Sequence, residues 1–94
     1  MINYASAVNV LTKAGYRLTN KCDFDGQIYH DFNSRKFDAS VSLVIDATTG
    51  SVARAEITTR KWSDVTHRYE PKKENIYGLQ ELINKFTPKK EITL

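Results

Sequence analysis

Between Arg60 and Lys73 the chain interleaves five cations (Arg60, Lys61, Arg68, Lys72 and Lys73) with two aromatic residues, Trp62 and Tyr69. These residue types suit nucleic acid. Mobile cations pair with phosphates, and unpaired bases stack on aromatic faces. The acids of the stretch are Asp64 and Glu70, so its net charge is five minus two, or +3, which equals the formal charge of the whole 94-residue chain. The remainder is neutral in sum, with a second small excess at Lys85, Lys89 and Lys90. Glu70-Pro71 reads as the opening of a helix, because proline is tolerated in a first turn. The free amides and positive dipole end of that helix would add to the phosphate site beside Lys72 and Lys73. A blander alternative stands beside this one: Trp62 and Tyr69 edge the core, and the cations are simply solvated.

Other chemistry has thinner material. Cys22, His30 and His67 are the candidates for a thiol nucleophile with a base, and such catalysis also needs an orienting group and an oxyanion site. Cys22 is expected on the apolar face of a hairpin, as a buried and inert thiol. One cysteine and two scattered histidines do not make a zinc set. Asp23, Asp25 and Asp31 cluster near a turn without the spacing of a calcium loop. No glycine loop that cradles phosphate is present among the four glycines. The expectation is no catalytic residue, no metal and no cofactor.

The elements that must position the basic stretch follow from periodicity. Tyr4, Ala7, Val8, Leu11 and Ala14 recur at helical spacing, so residues 4–14 are expected to be helical, with Asn3 as N-cap and Gly15 as stop. Residues 16–24 and 27–34 read as a hairpin around Asp25-Gly26. Burial favours a three-residue loop there, pairing Cys22 with Ile28 and Leu18 with Phe32, since a slip of one residue turns every side chain over. In 37–47, Phe37, Ala39, Val41, Leu43 and Ile45 alternate with Asp38, Ser40, Ser42 and Asp46, and 51–62 return with Ala53, Ala55 and Ile57 opposite Ile45, Leu43 and Val41. Asp46 and Gly50 carry the turn chemistry. Val65 to Tyr69 reads as a short edge strand. The second helix then places Ile76, Leu79, Leu82, Ile83 and Phe86 on one stripe, with Gly78 mid-helix, and stops at Thr87-Pro88. Residues 1–88 form one expected domain and 89–94 a tail.

The expected fold is therefore α+β: a helix, a four- to five-stranded antiparallel sheet of sequential hairpins, and a second helix, both helices on one sheet face. The other face should be polar, with Arg17, Lys21, Ser40, Ser42, Arg54 and Glu56. No apolar run approaches the roughly 20 residues of a membrane span. The lone cysteine and the absence of a signal-like start fit a reducing cytoplasm.

Helix, antiparallel strands, helix is also the element order of double-stranded RNA-binding domains. In them lysines at the start of the last helix grip phosphates, and Pro71-Lys72-Lys73-Glu74-Asn75 is similar to that feature. The resemblance is of element order and two lysines, against three strands in that family. It implies RNA more than DNA as the ligand. The leading expectation is a non-catalytic module binding nucleic acid or nucleoprotein through Arg60, Lys61, Trp62, Arg68, Tyr69, Lys72 and Lys73. The competing expectation is a protein-directed inhibitor or adaptor. In size and style the chain resembles the small accessory proteins with which phages block host defence or transcription factors. An exposed edge strand could pair with a partner's sheet, or with a second copy as a homodimer.

Overall fold

Helix α1 (Tyr4–Lys13) forms where the apolar stripe placed it. Asn3 Oδ1 accepts from the Ser6 amide at 3.0 Å, satisfying one orphan donor of the first turn. At the other end Gly15 takes φ +93°, which brings the Gly15 amide to the Thr12 carbonyl and the Tyr16 amide to the Leu11 carbonyl. The computed structural model describes residues 2–34 and 39–86. The expected stop at Thr87-Pro88 and the tail 89–94 lie outside those residues, as does the start of the 37–47 strand.

Five strands follow: β1 (Arg17–Phe24), β2 (Gln27–Asn33), β3 (Ala39–Asp46), β4 (Val52–Ser63) and β5 (Arg68–Ile76), and helix α2 (Leu79–Phe86) ends the order. The strands lie side by side in chain order in one antiparallel sheet, so β1 and β5 are its edges. This is the expected α+β architecture. Both helices cover one face. Ala7 and Leu11 of α1 and Leu82 of α2 join Phe32, Val41, Leu43, Ile45, Val52, Ala55 and Ile57 in the core. Tyr16 and Phe86 meet edge to face at 5.3 Å, tying the start of the sheet to α2.

The first hairpin departs from its expected register. Asp25 and Gly26 both adopt positive φ, 51° and 75°, which makes a two-residue turn of the kind whose twist matches the strands. Phe24 therefore pairs with Gln27 and Cys22 with Tyr29. A bulge at Thr19 then absorbs one residue, and Leu18 still reaches Phe32. Thr19 is fastened there by the Asn33 side chain, which donates to its Oγ1 at 2.7 Å. Turn chemistry thus won near the tip and burial won near the base. Between bulge and turn the strand is turned over, so Cys22 faces away from the helices and is exposed, and Lys21 takes the helix side opposite His30.

A second bulge, at Ala53, sets the β3–β4 pairing: Val52, not Ala53, faces Ile45. Val52 is the bulkier apolar side chain, is fully buried, and is bridged by Ile2 through reciprocal backbone bonds of 3.4 Å. Asp46 Oδ1 accepts from the Thr48 amide at 2.7 Å and Gly50 takes φ +72°, as the turn residues suggest.

The largest correction concerns residues 63–78. No helix opens at Glu70-Pro71. The chain turns through 64–67 and runs back along β4 as β5. His67 is the pivot, with φ +54° and its amide on the Ser63 carbonyl at 2.9 Å. Gly50 makes the equivalent bond to Asp46 at 2.8 Å. Pro71 fits because an edge strand can turn a missing N–H outward. Ile76 is the last residue of β5, and Gly78 precedes α2, its carbonyl accepting from the Leu82 amide at 3.1 Å.

Candidate nucleic-acid interface

Strand β4 outruns β3 among the described residues. Among the described residues β3 pairs with it no further than Ala39 opposite Thr59. Beyond that point, among the described residues, β4 and β5 continue as a two-stranded arm, from Arg60 opposite Pro71 to Ser63 opposite Arg68. The arm carries five of the seven residues singled out from the sequence (Arg60, Lys61, Trp62, Arg68 and Tyr69), and Lys72 and Lys73 lie at its base, opposite Thr59 and Thr58 within the sheet. Trp62 and Tyr69 are direct cross-strand partners with ring centroids 5.2 Å apart at 73°. They are 52% and 60% exposed, so they do not edge the core. The Trp62 indole N–H donates to Asp64 Oδ1 at 3.2 Å, which fixes the ring along the strand. At the tip Val65 is 90% exposed, and Thr66 Oγ1 donates to Glu70 Oε1 at 3.0 Å.

Strand alternation divides these side chains between two faces. Ala55, Ile57 and Ile76 point under the helices, which fixes the parity of both strands. Lys61, Glu70 and Lys72 share that parity, and so does Arg68 in the pair with Ser63. Arg60, Trp62, Tyr69, Pro71 and Lys73 share the other, continuous with the open face of the sheet. The expected site is therefore brought to one element but spread over its two sides. Lys72 and Lys73 do not sit at a helix N-terminus, because α2 begins at Leu79. The dipole contribution expected for them is absent.

Neighbouring charges are partly committed. Lys85 donates to Glu74 Oε2 at 2.8 Å, and that bond holds the Glu74 carboxyl below its usual range. On the open face Arg54 pairs with Glu56 at 3.1 Å, and Ser42 donates to Asp31 Oδ1 at 2.6 Å. Val44 is fully buried on that face, flanked across the ladder by Tyr29 and Arg54.

The thiol and imidazole candidates are not brought together. Cys22 lies on the open face and His30 on the helix side. His30 Nδ1 meets the Tyr4 hydroxyl at 2.7 Å, an α1-to-sheet contact. Burial, then the charge of Lys21, holds the imidazole below its ordinary value, with Asp31 and Asp23 pulling the other way. His67 is at the arm turn. Among the described residues no group of His, Cys, Asp and Glu could hold a metal ion, and no helix is long and apolar enough to cross a membrane.

Sequence reasoning found the residues of the arm but not its shape. The signal was there in part: Trp62 and Tyr69 are spaced as cross-strand partners about a four-residue turn, 64–67. What hid the turn was a histidine in the left-handed position where glycine is the usual cue. No protein-family model, no curated protein and no solved structure matches this chain.

Proposed function

We propose that this protein is a non-catalytic module that binds nucleic acid, or a nucleoprotein, through the β4–β5 arm. One observation carries the reading: among the described residues, three cations (Arg60, Lys61 and Arg68) and two exposed aromatic residues ride on a β4–β5 ribbon beyond the end of β3, with Lys72 and Lys73 at its base. Arg60, Lys61, Arg68, Lys72 and Lys73 hold phosphates, and Trp62 and Tyr69 offer ring surface to bases. The preference for RNA rested on lysines at a helix start. With Lys72 and Lys73 on an edge strand, that resemblance no longer favours RNA over DNA. The separation of Cys22 from His30 supports a role without catalysis.

Trp62 is the only tryptophan of the chain, so tryptophan emission, excited selectively over tyrosine, reports on the arm alone. Titration with nucleic acid at low salt is expected to quench it, and added salt should restore it. Emission that stays constant at saturating oligonucleotide, for duplex and single strand alike, contradicts the proposal. The second reading, a protein target or a second copy, is favoured by β1, an edge strand exposed along its whole length with Phe24 at 70%.

A further inference from the structure

We infer that the arm enters the major groove of B-form duplex DNA tip first, with cations on both of its faces gripping the two phosphate walls. This rests on the nucleic-acid reading above and names its ligand class. The argument begins with the two-sided charge. A single strand laid over the open face of the sheet would meet Arg60, Trp62, Tyr69 and Lys73. It would leave Lys61, Arg68 and Lys72 facing the other way. A groove has a phosphate wall on either side, so a ribbon inserted between them uses both sets.

Dimensions agree. A two-stranded ribbon fits a major groove about 12 Å wide and 8.5 Å deep. Four ladder pairs, Arg60–Pro71 to Ser63–Arg68, span about 10 Å at roughly 3.4 Å per residue, and the 64–67 turn adds to this reach. The turn can therefore touch the groove floor while the base of the arm stays level with the phosphates. Val65 leads, and an exposed apolar side chain there has thymine methyl groups to pack on. In A-form RNA the major groove is deep and narrow and does not admit side chains in this way.

The test uses the full chain, with anisotropy of a short labelled DNA duplex, the matching RNA duplex and the two single strands. Two double variants separate the faces: Arg60→Ala with Lys73→Ala, and Lys61→Ala with Lys72→Ala. All four side chains are exposed, and an unchanged unfolding midpoint confirms that each variant folds. Groove entry predicts that duplex DNA binds about 10-fold or more tighter than the other forms, and that each double variant flattens its salt slope by roughly two. If Lys61→Ala with Lys72→Ala keeps wild-type affinity while the open-face variant weakens, the ligand lies across one face. Groove entry then fails and the nucleic-acid reading survives. Equal binding of RNA and DNA duplexes also overturns groove entry. No binding of any form at low salt overturns both readings and leaves a protein as the partner.

Discussion

Raising salt from about 50 to 200 mM is expected to weaken nucleic-acid binding by about 500-fold, and by only about 40-fold once Lys72 and Lys73 are both alanine. The figures follow from counterion release. Each cation seated on a duplex phosphate adds about −0.9 to the slope of log affinity against log salt. Five cations, three on the arm and two at its base, give a slope of about −4.5, and the three alone give about −2.7. A fourfold rise in salt then multiplies out to the two losses stated. Lys72 and Lys73 lie on opposite faces of β5 at the base of the arm, so the pair samples both sides of the ribbon at once. The side chains are exposed and the edge strand is held by its backbone ladder, so the substitutions should leave the fold intact. Affinity measured at several salt concentrations checks this. Parallel salt dependences for the two proteins would mean that neither lysine touches a phosphate.

Phe32→Ala is expected to cost about 3–5 kcal/mol, the range for removing a buried aromatic ring from a packed core. Phe32 is 2% exposed, sits on β2 between Leu18 of β1 and Val41 of β3, and belongs to the core on the helix-covered side of the sheet. Folding stability for a chain of this size is about 5–15 kcal/mol, so the loss is a large part of it. Urea unfolding followed by circular dichroism should move its midpoint down by about 2 M. Val65→Ala provides the contrast, since the side chain is exposed at the arm tip and its loss should change stability by no more than about 0.5 kcal/mol. A Phe32→Ala midpoint within error of the wild type would mean that this ring does not anchor the sheet under α1 and α2.

What could be read in advance follows from where one face is buried. α1 was legible because Asn3, the Tyr4–Leu11 stripe and Gly15 mark start, face and stop independently. β3 was legible because Val41, Leu43 and Ile45 alternate with polar residues over a covered face. β5 was not. Its residues from Arg68 to Asn75 are exposed on both sides, so no alternation is written into them, and Glu70-Pro71 imitates a helix start. Registers depended on bulges at Thr19 and Ala53, which are settled by competition between turn geometry and packing rather than by local pattern. The same competition moved Cys22 to the open face. The composition of the candidate site was legible, therefore, and its projection as an arm was not.

The arm and the free β1 edge lie at opposite sides of one sheet. That separation makes the two functional readings distinguishable by position alone. The most direct measurement is backbone amide chemical-shift mapping of the labelled protein, titrated with a short DNA duplex at low salt. The account predicts shifts confined to residues 60–73, the 64–67 turn included, with α1 and β1 unmoved. Shifts that run along Arg17–Phe24 while 60–73 stays still, or a spectrum that does not change at all, would contradict it.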